Sequence, residues 1–170
     1  MKKTGYVIVV LFIFQLPIVA QKIEINFMPS FFNHSRFIIT NKDTLCKVQL
    51  DIFEGREKII HSETIYVSLS FLDSFNSFFS VETDTITNDI LGLDGTSIKG
   101  KYENERVVKY FDFWSPKRNS KEYILFRESI DYIRREMNSK ESKKYLGKLN
   151  ALLREKSKVG KIIYPFFPFF

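Results

Sequence analysis

From Lys22 to Phe27 polar and apolar side chains alternate, with Ile23, Ile25 and Phe27 on one side, which predicts a half-buried strand. Residues 28–43 hold Pro29, Asn33, Asn41 and Asp43 around the short apolar piece Phe37-Ile38-Ile39 and read as a loop carrying a brief strand. Alternation resumes over Lys47 to Phe53, with Val48, Leu50 and Ile52 inward. The turn Glu54-Gly55-Arg56-Glu57 joins that run to β character over Lys58 to Val67, giving an antiparallel hairpin. Ser70 and Asp73 fit a capping box for a short helix lined by Phe71, Leu72, Phe75, Phe78 and Phe79. A core-facing stripe explains those rings more simply than a cofactor box.

Thr96 to Tyr102 and Arg106 to Trp114 flank the polar turn Glu103-Asn104-Glu105 as a second hairpin. Both sides of its second strand are largely apolar, so that strand is expected centrally in the sheet. Pro116 ends it by removing a backbone donor and restricting Ser115. Asn119 with Glu122 caps a helix whose buried stripe is Tyr123, Phe126, Ile130, Ile133 and Met137. Asn138-Ser139 breaks it, Ser139 caps a second helix with Tyr145, Leu146, Leu149, Leu152 and Leu153 as its apolar face, and Val159-Gly160 stops that one. No repeat or linker divides the chain. The fold class is therefore α+β: an antiparallel sheet built from hairpins, helices packed on one face, two of them at the C-terminus.

The first 20 residues read as an address rather than as structure. Lys2 and Lys3 precede nine unbroken apolar residues, Tyr6 to Phe14, and Ala20 suits the position before a cut. Thr4 to Ala20 is 17 residues, interrupted by Gln15 and Pro17, short of the ~20 a spanning helix needs. The expectation is an exported, periplasmic or extracellular domain over 21–170. In an oxidising compartment the lone Cys46 is expected to be a buried small hydrophobe.

At 170 residues, 44% hydrophobic and 27% charged, the chain is neither disordered nor polytopic. Its net charge of +6 is unevenly placed: residues 21–116 carry 10 basic and 14 acidic side chains, residues 117–161 carry 14 and 6. Lys140, Lys144 and Lys148 fall in one helical row with Lys143 beside them, a row suited to phosphates or an acidic protein, or simply to water. Nucleic acid is not expected, since an exported protein seldom meets it. Asn33-His34-Ser35 matches a glycosylation sequon, but richness in Lys, Asn, Ile, Phe and Tyr with two alanines points to an AT-rich bacterial genome.

Little suggests catalysis. One cysteine and two histidines leave no cysteine-based zinc site, and a two-histidine metal site would need both His34 and His61. No nucleophile elbow or phosphate-binding loop occurs. The acidic stretch Glu82, Asp84, Asp89, Asp94 fails the EF-hand pattern, because Ile86 stands at its third position and Asp89 at its sixth. No metal or cofactor is expected, and the chain leans away from being an enzyme. A carboxylate-dependent hydrolase with a site near 82–94 is kept as the alternative to a non-enzymatic binding protein.

Leu93-Asp94-Gly95-Thr96 and Phe113-Trp114-Ser115-Pro116 form the most distinctive block. With the export signal it resembles uncharacterised small secreted proteins of Bacteroidota-type bacteria, which pair an Asp-Gly-Thr turn with a downstream Trp-Ser-Pro and a closing helix. The resemblance spans 93–135 and implies no activity. Asp94 and Gly95 read as turn formers and Trp114 as a core anchor, with a ligand-facing ring as its alternative.

The end of the sequence, 162–170, places Tyr164, Phe166, Phe167, Phe169 and Phe170 around Pro165 and Pro168 without a charge. The prolines disfavour helix and central strand, so the tail is expected to be extended. Either it docks on its own domain, the favoured reading, or it enters a partner or the membrane interface beside the basic helix. The candidate partner-binding residues are thus Lys140, Lys143, Lys144, Lys148, Trp114, Phe166, Phe167, Phe169 and Phe170.

Overall fold

Strand alternation controls the architecture, because every strand from Lys22 onward presents one apolar side to a common layer. A computed structural model describes residues 21–42, 44–55, 57–80, 84–88 and 95–154. The expected signal and the aromatic tail lie outside these residues. Among the described residues seven strands form one sheet: β1 (Lys22–Pro29), β2 (His34–Lys42), β3 (Leu45–Glu54), β4 (Lys58–Ser68), β5 (Thr85–Thr87), β6 (Thr96–Glu103) and β7 (Val108–Trp114), in the order β4-β3-β2-β1-β6-β7-β5. Neighbours are antiparallel except β5, which runs parallel to β7. The helices among the described residues pack on the strands' apolar side: α1 (Asp73–Phe78), entered through a 3-10 turn at Leu69–Leu72, α2 (Lys121–Glu136) and α3 (Lys140–Arg154). This is the expected α+β fold.

The core is aromatic at its centre. Phe126 of α2 meets Phe27, Phe111 and Phe113 at centroid distances of 6.0, 5.8 and 5.8 Å. Burying one such ring stabilises the fold by about 2–3 kcal/mol. Phe75 and Phe79 bring the α1 region onto the same layer, Phe79 stacking on Tyr102 at 4.8 Å. All five residues of the α2 stripe are buried, as are Tyr145, Leu146, Leu149 and Leu153 of α3, while Leu152 is half-buried. Gly100 allows this density on β6, since a Cβ there would stand 1.9 Å from the Glu24 carbonyl oxygen and 2.5 Å from the Phe111 ring.

Several expectations need correction. Residues 34–42 are not a loop with a brief strand but the nine-residue β2, flanked by β1 and β3. Its outward charge, Arg36, is paired with Asp51 across the ladder, so a polar residue does not interrupt the strand. The first helical cap is Ser68, which accepts the Ser70 N–H, not Ser70 itself. Ser120 rather than Asn119 caps α2, accepting the Tyr123 N–H at 3.3 Å, because Asn119 takes a left-handed φ of 71° outside the helix. β7 lies one strand from the edge, and Val108 and Tyr110 on its second face are exposed.

Candidate functional site

The corner between α2 and α3 orients the basic face. Ser139 caps α3 by accepting the Ser142 N–H at 3.1 Å. Glu63, on β4, accepts the Asn138 N–H at 2.6 Å, the Ser139 N–H at 3.2 Å and the Ser139 hydroxyl at 2.6 Å. Partial burial pushes the Glu63 carboxyl up, but hydrogen bonds from Ser139, Ser142 and these two backbone groups outweigh it and hold it at about 2. The corner is thereby fixed to the sheet, and Tyr145 reinforces it by donating to the Asn33 carbonyl at 2.9 Å. Burial raises the Tyr145 phenol well above its ordinary value of 10, so it stays protonated as a donor.

With the apolar side of α3 on the core, Lys140, Lys143, Lys144 and Lys148 face water. Among the described residues none of the four forms an ion pair, whereas Arg154 at the helix end bridges Asp131 at 3.5 Å. Arg134 of α2 extends the positive surface. Its guanidinium lies against Gly147, and its Nε donates to the Lys143 carbonyl at 3.2 Å. Like charges four residues apart cost a helix about 0.2–0.5 kcal/mol per pair. An anion laid along the row removes that cost.

His61, Glu63, Ser139 and Ser142 bring together the residue types of a nucleophilic triad. The geometry does not build one. Ser142 Oγ lies 2.9 Å and Ser139 Oγ 3.1 Å from the same ring atom, His61 Nε2, and Glu63 Oε2 approaches that atom too, at 3.8 Å. A triad needs the carboxylate on the opposite ring nitrogen and the serine proton aimed at the base. Here Ser139 gives its proton to Glu63, and Ser142 is wholly buried. The cluster is a helix cap tied to a strand.

Of the acidic stretch, Glu82, Asp89 and Asp94 lie outside the described residues. Asp84 is exposed and accepts the Tyr110 N–H on its carbonyl at 2.9 Å, continuing the pairing of β5 with β7. Among the described residues no group of three His, Cys, Asp or Glu side chains could hold a metal ion. A groove of about 420 Å³ lies elsewhere, between the 69–74 segment and α2. It contains two carboxylates, but Asp131 is engaged by Asn150 and Arg154, leaving Glu128 alone.

Trp114 is not a core anchor: it is half-buried on the open side of β7, away from the helices. Its backbone is held at both ends by one side chain, Asn88, which accepts its N–H at 2.8 Å and donates to its carbonyl at 3.0 Å. The two halves of the sequence block meet beside it. Ser115 donates its N–H to the Thr96 carbonyl at 2.9 Å, while its Oγ accepts the Thr96 N–H at 3.1 Å. A Cβ on Gly95 would fall 1.9 Å from that Oγ. Gly95 and Ser115 thus form a steric lock between β6 and β7. Cys46 is fully buried, and burial raises its thiol to about 12. The tail residues Phe166, Phe167, Phe169 and Phe170 are outside the described residues.

One polar arrangement was missed from sequence. On the open face, Ser62, Asp51, Arg36, Asn26, Lys99, Asp112 and Thr87 stand opposite one another across all seven strands. Arg36 meets Asp51 at 3.0 Å and Lys99 meets Asp112 at 2.7 Å, so this row neutralises itself. Only strand register aligns it, and no local spacing reports register.

No family model, no curated protein and no solved structure matches the chain. Among the described residues no helix is long and apolar enough to cross a membrane.

Proposed function

We propose that this is an exported, non-enzymatic protein of the bacterial envelope or extracellular space that binds an anionic partner through Lys140, Lys143, Lys144 and Lys148. One observation carries the reading: the lysine row faces water without acidic partners among the described residues, whereas on the open sheet face Arg36, Lys99 and Lys101 are each neutralised by a neighbouring carboxylate. Export is supported by the order of Lys2-Lys3, the apolar run Tyr6–Phe14 and Ala20. Near an anionic surface each lysine contributes about 1 kcal/mol, so four engaged together strengthen binding roughly a thousandfold.

The test is binding to heparin and to phosphatidylserine-containing vesicles across a salt series. A steep loss with added salt supports the reading, because exposed charges are screened beyond ~10 Å at 0.1 M. Binding that is absent from both, or indifferent to salt, overturns it. A hydrolytic centre near 82–94 gains no support from the described residues, of which that stretch holds only 84–88.

A further inference from the structure

We propose that the groove between residues 69–74 and α2 is the seat of the chain's own aromatic segment, 164–170. This inference is independent of the lysine row. The groove has a buried floor in Leu125, and its wall is Phe71 stacked on Tyr132 at 5.1 Å and 19°. Ser129 and Arg135 also line it, the Arg135 guanidinium standing 5.9 Å from the centre of the Tyr132 ring. Ser70, Ser74, Glu128 and Asp131 make the rest of the lining polar or charged, so the part that an aromatic segment would cover is the ledge of Phe71 and Tyr132 over Leu125, with its rings half-open to water.

The route of the chain selects the occupant. The last described residue, Arg154, bridges Asp131 at 3.5 Å, and Asp131 borders the groove. Nine residues, 155–163, separate Arg154 from Tyr164. Fully extended they reach about 30 Å, while crossing over α2 requires one helix diameter, about 10–12 Å. The tether is therefore more than long enough.

Chemistry agrees with the route. Residues 164–170 carry five aromatic rings and no charged side chain, each ring offering on the order of 150–250 Å² for burial. Pro165 and Pro168 suit an extended segment lying along a helix rather than a strand added to the sheet. A tethered segment also starts from millimolar effective concentration, which a free partner does not.

The test places the photo-cross-linker benzoylphenylalanine at Phe167 of the full chain, irradiated at low micromolar concentration, with the products mapped by mass spectrometry. The proposal expects cross-links within one chain to the peptides carrying Phe71 or Tyr132. It also expects Phe71→Ala to cut their yield several-fold while far-ultraviolet circular dichroism stays unchanged. Cross-links formed mainly between two chains, mainly elsewhere on the domain, or mainly to added anionic vesicles would each overturn it. So would a yield that Phe71→Ala leaves unchanged.

Discussion

Glu63 and Ser139 stand 76 residues apart in sequence and meet at 2.6 Å, the serine donating to the carboxylate while its own oxygen caps α3. The contact makes a strand responsible for the direction of a helix. β4 is an edge strand of the sheet, and an inward-pointing charge on such a strand also discourages edge-to-edge pairing with other chains. One carboxylate therefore sets the α2–α3 corner and, through it, the outward display of the lysine row.

Glu63 makes stability depend on pH in the acid range. Its folded value of about 2 lies below its ordinary value of 4.5. The stabilisation it confers is complete above the unfolded value and fades as pH falls toward 2. The native protein should lose stability progressively across that window in urea titrations, and Glu63→Ala should be less stable at neutral pH by about 2 kcal/mol. The variant should also show a flatter dependence below pH 4.5. Equal slopes for the two proteins would remove Glu63 from the account.

Gly100 and Gly55 should respond to alanine for different reasons. At Gly100 the new methyl collides with the Glu24 carbonyl oxygen, which a sheet cannot move, and overpacking should cost about 3 kcal/mol. Gly55 has open space around it, but its φ of 68° is left-handed, and alanine there should cost about 1 kcal/mol. Thermal melts of both variants check the order. A larger loss at Gly55 would contradict the packing described for β6.

Trp114 is the sole tryptophan, so its fluorescence reports one place. Half-buried on the open face, it should be readily quenched by acrylamide in the native protein. An indole protected until the protein unfolds would place it in the core after all.

The parts of this fold that sequence revealed are those fixed by local period. Tyr123, Phe126, Ile130, Ile133 and Met137 announce α2 because a helix repeats its own spacing, and Ser139 stands where a cap must. The alternation of Val48, Leu50 and Ile52 announced β3 for the same reason. What stayed hidden depends on a distant partner. β2 was obscured because Pro29, Asn33, Asn41 and Asp43 around Phe37-Ile38-Ile39 read as loop residues until β1 and β3 stand on either side, and β5 is three residues long and has meaning only beside β7. Trp114 misled because a tryptophan in an apolar strand reads as core, whereas only the position of the helices decides which face is covered. The lysine row and the apolar face opposite it were legible, whereas the Glu63 contact that fixes the α2–α3 corner to the sheet was not.

The central claim is that the α3 lysines carry binding, and charge reversal within that row tests it most directly. Affinity for phosphatidylserine vesicles and heparin at low salt should be measured for the native protein and for Lys144→Glu with Lys148→Glu, both confirmed folded by circular dichroism. The account predicts a drop of more than roughly tenfold, from two lost attractions of about 1 kcal/mol each plus two new repulsions, and a shallower salt dependence in the variant. Native-like affinity and an unchanged salt slope would contradict it.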